Sequence, residues 1–210
     1  MEIRDQINKR DVLVVVDVQH DFIDGSLAVG EGEEVVAPLN EMATRIRATH
    51  LGRVAYTRDW HPAQTPHFDI WPKHCVRNTK GASFYPTLDV TPSDTIISKG
   101  MGQTDGYSGT EGIAKDGQTL ETIIQPQGFE RVRVFIGGLA TDYCVKATAI
   151  EIADTFRICP DVVEVYAVRE AMRAVADDDT EAVKAMADAG VKIIDLKQAL
   201  DLIDEHRIER

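Results

Sequence analysis

The chain has 210 residues, 43% of them hydrophobic and 28% charged, the balance of a water-soluble globular domain spanning residues 1–210. Its formal net charge of -12 argues against nucleic-acid and anionic-membrane partners, which need basic surfaces. No run reaches the ~18 apolar residues of a membrane span. MEIRDQINKR lacks a signal-peptide pattern, and three scattered cysteines (Cys75, Cys144, Cys159) form no disulfide framework, so a reducing cytoplasm is expected.

Val12–Asp17 (VLVVVD) is an apolar run ending in an acid, the pattern of a buried parallel strand. Glu33–Thr49 carries helical spacing through Val36, Leu39, Met42, Ala43 and Ile46. Strands are predicted at Arg53–Thr57, Thr95–Ser98 and Val132–Ile136. A helix over Thr141–Thr155, a strand over Val162–Tyr166, a helix over Thr180–Ala189 and a strand over Val191–Ile194 complete the pattern. Alternating strands and helices imply a doubly wound α/β fold: a mainly parallel sheet with helices on both faces. Arg58–Thr91 and the glycine-rich Gly100–Gln118 interrupt the alternation. Long loops inside a compact domain tend to be functional, and ligands of open α/β sheets bind beyond the strand C-termini.

Val132–Cys144 reads as a strand, a glycine turn and a cysteine at the opening of a helix. Thr141 or Asp142 is positioned to cap that helix, whose N-terminus would lower the thiol pKa and offer donors to an oxyanion. Asp17, Lys99 and Cys144 each follow a strand, so a parallel sheet would gather an acid, a cation and a thiol on one edge. A carboxylate can take the thiol proton, an ammonium favours the charged forms, and a thiolate can attack a carbonyl carbon. Taken singly, Asp17 is equally a turn cap, Lys99 a surface lysine and Cys144 a buried small hydrophobe.

Asp59-Trp-His61 follows the second strand, with His67 and His74 close behind. Nitrogen and carboxylate ligands suit Zn²⁺, Mn²⁺ or Fe²⁺; the plain alternative is a set of loop histidines bonded to backbone. Cys75 and Cys159 read as buried structural thiols.

The stretches VVVDVQHDFIDGSLAV, TRDWHPAQTPHF, WPKHCVRNTKGASF, ISKG, YSGTEG and GGLATDYCVKATA occur in that order. Together they resemble the nicotinamidase (pyrazinamidase) branch of the isochorismatase-like cysteine hydrolases. The resemblance implies the catalytic acid, lysine and cysteine at Asp17, Lys99 and Cys144. It implies metal ligands at Asp59, His61 and His74, with His67 matching a fourth ligand of some members. It places a cis peptide between Leu139 and Ala140, and oxyanion donors on the N–H groups of Ala140 and Cys144. The substrate ring would lie near Phe22, Trp71, Tyr107 and Leu139, although each has a plain alternative in packing. The implied reaction converts nicotinamide, and pyrazinamide as a second substrate, to the acid and ammonia through a cysteine thioester, in pyridine-nucleotide salvage. A divalent ion, zinc foremost with iron or manganese also suited, would orient the pyridine ring. The alternative is a metal-independent relative acting on an N-carbamoyl or other small amide. The proline-containing loop Thr65–Trp71 is longer than the family pattern and would alter pocket shape. Relatives commonly associate, which leaves a homo-oligomer open.

Overall fold

The computed structural model describes residues 8–49, 51–102, 106–128, 130–158 and 161–208. In chain order the elements are β1 (Asn8–Val16), α1 (His20–Ile23), α2 (Val36–Arg47), β2 (Arg53–Asp59), β3 (Thr95–Lys99), α3 (Leu120–Ile124), β4 (Glu130–Leu139), α4 (Lys146–Thr155), β5 (Val163–Arg173), α5 (Thr180–Asp188), β6 (Lys192–Ile194) and α6 (Leu196–Ile208). All six strands are parallel, in the order β3-β2-β1-β4-β5-β6.

β1 is fully buried from Val12 to Val16, because helices cover both sheet faces and every β-branched side chain meets a partner. On one face Leu13 and Val15 pack with Leu39, Met42 and Ile46 of α2 and with Ala199 and Ile203 of α6. On the other, Val12, Val14 and Val16 share a core with Ile123 of α3, Ile152 of α4 and Met186 of α5. From β1 the chain winds outward through β2 and β3, then returns to β4 on the opposite side of β1. That reversal opens a crevice between the C-terminal ends of β1 and β4, where open sheets of this kind bind ligands.

The doubly wound sheet matches the expectation from sequence, with differences at element ends. β5 runs to Arg173, well past the expected Tyr166. α6 was not assigned from sequence, although Leu196, Ala199, Leu200 and Ile203 carry helical spacing and pack against α2 and β5. The expected helix Thr141–Thr155 opens instead with a π-turn, Thr141–Val145, and becomes α-helical only at Lys146. Neither Thr141 nor Asp142 caps it. The Asp142 carboxylate accepts hydrogen bonds from the backbone N–H groups of Val175 and Ala176, both 3.0 Å away, and Thr141 Oγ1 makes none.

The Gly137-Gly138 pair lets β4 reach the crevice. At Gly138 (φ 131°) a Cβ would lie 2.0 Å from the Val16 carbonyl oxygen, so only glycine fits. The pairing with β5 shifts register between Ile136 and Gly138, and a cis peptide joins Leu139 to Ala140. Cys75 is buried in the core, as expected, whereas Cys159 lies outside the described residues.

Candidate active site

Asp17 directly follows β1, in the left-handed conformation (φ 50°), and its N–H donates to the Thr57 carbonyl at 3.3 Å. Thr57 Oγ1 donates to Asp17 Oδ1 at 2.7 Å. Lys99 ends β3, in register with Asp59 at the end of β2. Its ammonium, fully buried, lies 2.9 Å from Asp17 Oδ2, 2.6 Å from Asp59 Oδ1, 2.9 Å from the Gly106 carbonyl and 3.5 Å from Cys144 Sγ. Carboxylate oxygens of Asp17 and Asp59 and the Cys144 sulfur all lie within 4.8 Å of one another. The sheet therefore brings the acid, the ammonium and the thiol together. Asp17 is not a turn cap, and Lys99 is not a surface side chain.

Burial and charge set the protonation of this cluster. Burial works against the Lys99 ammonium, but Asp17 and Asp59 outweigh it and hold Lys99 well above the usual lysine range. Burial also works against the charge on Asp59, and the neighbouring Lys99 ammonium overrides it, holding Asp59 well below the usual carboxylate range. At Asp17 burial wins: its carboxyl is raised despite Lys99, with Asp59 adding to the rise. Cys144 is pushed well above the ordinary thiol range by burial, against the pull of Lys99. The thiol lowered by a helix N-terminus, expected from sequence, is thus corrected. The π-turn encloses the sulfur among carboxylates, and desolvation exceeds any local dipole. Burial thus disfavours the charged form of both the Cys144 thiol and the Asp17 acid beside it.

Asp59 has two sides. Oδ1 faces Lys99, while Oδ2 faces His61 Nε2 at 3.6 Å and His74 Nε2 at 3.8 Å. One nitrogen from each of His61, His67 and His74 lies within 4.8 Å of the others, and all three rings are buried. His61 Nδ1 lies 2.8 Å from the Gly100 carbonyl and His74 Nδ1 lies 2.6 Å from the Pro72 carbonyl. A carbonyl only accepts, so each Nδ1 carries the proton and each neutral ring turns an Nε2 lone pair towards Asp59. His61 Nε2 is buried with no hydrogen-bond partner. An orphaned lone pair among two further imidazoles and a carboxylate fits a divalent ion, with the two carbonyls orienting its ligands. His67 belongs to this set as closely as the other histidines.

A pocket opens onto both clusters, lined by Phe22, Trp71, Tyr107 and Ala140 as well as Asp59, His67, His74 and Cys144. The Trp71 indole N–H donates to Tyr107 Oη at 2.9 Å, and Tyr143 packs edge-on against Trp71. Leu139 differs from expectation. Its side chain is 1% exposed in the core beneath the pocket and does not line it. Sequence reasoning missed Leu27, Val29, Tyr143 and Val175 of the wall. It also missed Thr57 and Gln19; the Gln19 amide accepts from Asp59 N–H at 2.8 Å and donates to its carbonyl at 2.9 Å. Gln19 lies two residues beyond Asp17, a spacing that could have flagged it.

The doubly wound sheet gathers a buried acid, ammonium and thiol at its strand ends, equipment suited to a hydrolase. The chain belongs to the isochorismatase family: the isochorismatase-domain model matches residues 11–198. It is 37% identical over 145 residues to a nicotinamidase/pyrazinamidase of Mycobacterium tuberculosis, covering 65% of this chain and 75% of that protein. The crystal structure of a Pyrococcus horikoshii pyrazinamidase in complex with zinc superposes with a TM-score of 0.73 at 36% identity, covering 88% of this chain and 98% of that one. An N-carbamoylsarcosine amidase from Thermoplasma acidophilum superposes with a TM-score of 0.70 at 26% identity, covering 89% and 96%. Among the described residues no helix is long and apolar enough to cross a membrane.

Proposed function

We propose that this chain is an amidohydrolase that converts nicotinamide, and pyrazinamide as a second substrate, to the carboxylic acid and ammonia, serving pyridine-nucleotide salvage. The observation that carries this reading is the opening of one pocket onto both the Asp17–Lys99–Cys144 cluster and the Asp59–histidine cradle. The N-carbamoylsarcosine amidase shares the fold, so the histidine cradle and the identity to the M. tuberculosis relative favour a pyridine carboxamide.

Cys144 Sγ attacks the carboxamide carbon as its proton passes to Asp17, which avoids a standing thiolate in a buried site. Lys99 balances the charge shared between Asp17 and Asp59. The backbone N–H groups of Ala140 and Cys144 receive the oxyanion. Asp17 returns its proton to the leaving nitrogen, the C–N bond breaks, and ammonia departs from a thioester. Water then attacks that carbonyl, giving one proton to Asp17. The C–S bond breaks, the acid leaves, and the proton returns to the sulfur. Phe22, Trp71 and Tyr107 hold the ring. Asp59, His61, His67 and His74 would hold a divalent ion, zinc by analogy with the P. horikoshii complex, that supplies a Lewis-acid anchor for the ring nitrogen. We assign the whole chain to one domain and its setting to the cytoplasm.

The test is ammonia release from nicotinamide and from N-carbamoyl amides, before and after chelation. Nicotinamide turnover should fall at least about 10-fold on chelation, return with zinc, and vanish in a folded Cys144→Ala variant. Chelator-indifferent turnover of a carbamoyl amide would refute the substrate and metal assignments, and an active Cys144→Ala would refute the nucleophile.

A further inference from the structure

Asp21, in α1, is drawn into neither the acid–ammonium–thiol cluster nor the histidine cradle, yet its carboxylate is gripped by the backbone of two loops, one of which carries His74. Oδ2 accepts from the Cys75 N–H at 2.7 Å, and Oδ1 accepts from the Ser26 N–H at 3.2 Å. The Asp21 N–H in turn donates to the Gly81 carbonyl at 3.0 Å. Cys75 is the residue through which this grip reaches the histidines. It adjoins His74 in the chain, and its carbonyl accepts from the His61 N–H at 3.0 Å. It also sits at φ 44°, in the left-handed region that is unfavourable for a non-glycine residue. A short hydrogen bond from its N–H to a carboxylate offsets that strain and fixes the peptide between His74 and Cys75.

Two glycines make room for the carboxylate. A Cβ on Gly81 would lie 2.0 Å from Asp21 Oδ2, 2.4 Å from its Cγ and 2.6 Å from Oδ1. A Cβ on Gly25 would lie 2.3 Å from Asp21 Oδ1 and 2.6 Å from its Cα. Neither glycine has a positive φ, so what each provides is space rather than backbone freedom. At Gly81 the three nearest obstacles are all atoms of the Asp21 carboxylate group.

We propose that Asp21 is a positioning residue for the metal cradle. Seated in the space left by Gly81, it fixes Cys75 and through it both His74 and His61. The inference rests on the metal reading above. Outer partners of this kind typically alter metal affinity 10- to 100-fold.

The experiment measures zinc affinity of the metal-free full chain by competition with a chromophoric chelator. The visible spectrum of the cobalt-loaded protein, which reports ligand geometry, provides a second readout. Asp21→Ala should weaken zinc about 10- to 100-fold and change the cobalt spectrum. Asp24→Ala removes a carboxylate from the same short segment, one bonded to His20 and not to the cradle, and should leave affinity within about twofold. Gly81→Ala should weaken zinc while Asp21 is present and add nothing in the Asp21→Ala background, because the obstacle is then gone. If Asp21→Ala does not fold, Asp21→Asn, of the same shape with one acceptor oxygen fewer, is read the same way with a smaller expected loss.

Wild-type zinc affinity and an unchanged cobalt spectrum in a folded Asp21 variant would overturn the inference. An equal loss in Asp24→Ala would overturn it as well, reducing the effect to net charge, and additive losses for Gly81 and Asp21 would refute the steric link. A wild-type protein that binds no zinc would instead overturn the metal reading itself.

Discussion

Replacing Thr57 by Val tests whether Asp17 must be ionised to accept the thiol proton. Valine keeps the β-branched shape and the Cγ2 methyl, against which Gly109 packs too closely to admit a Cβ. It removes only the hydroxyl that donates to Asp17 Oδ1 at 2.7 Å, where donor and acceptor are both fully buried. A hydrogen bond to a charged acceptor contributes about 1.5–3 kcal/mol to the ionised form, equivalent to roughly a 10- to 150-fold change in equilibrium. The Asp17 carboxyl is already raised by burial, and losing this bond raises it further. If catalysis needs the carboxylate, activity is present above the Asp17 pKa and lost as pH falls through it. The variant's acid limb must therefore lie at higher pH. On that limb kcat/KM for nicotinamide should fall about 10- to 150-fold, and at alkaline pH the two enzymes should converge. Ammonia release measured across pH, with urea midpoints to show an intact fold, provides the assay. An unshifted limb, or a loss equal at every pH, would refute the assignment of Asp17 as the base. Thr57→Ser should restore the wild-type profile.

Two further substitutions probe the scaffold. Asp11→Ala leaves Arg133, whose Nε and Nη2 lie 2.8 and 3.1 Å from the Asp11 carboxylate, buried with its principal partner missing. Urea unfolding should show a loss of about 3–5 kcal/mol. Molecules that remain folded should keep their activity, because this pair joins the early parts of β1 and β4, away from the strand ends that carry the site. Gly138→Ala forces a methyl against the Val16 carbonyl at a φ of 131°, and should cost about 3–5 kcal/mol. A thermal midpoint within a degree of wild type would show that β4 can yield there.

Much of the site was legible before any coordinates. Asp17, Lys99 and Cys144 were found because a parallel sheet sends the ends of its strands to one edge, so residues far apart in sequence share a place in space. The histidines were legible because they crowd into one loop beside Asp59. Leu139 was misplaced: it ends β4, and only packing decides whether its side chain faces pocket or core. Gln19, Thr57 and Asp21 went unread, because their roles come from hydrogen bonds to residues forty or more positions away.

Element order and the residue types at the strand ends were already written into the chain. β-branched runs, helical spacing and glycine turns are local patterns with local causes. The direction in which each group of the cluster is shifted, and the two-sided role of Asp59, came only with packing. A local rule favours a lowered thiol at Cys144, yet burial and neighbouring carboxylates raise it. Desolvation and Coulomb interactions depend on what encloses a group, and that enclosure exists only once β1, β2, β3 and β4 lie side by side.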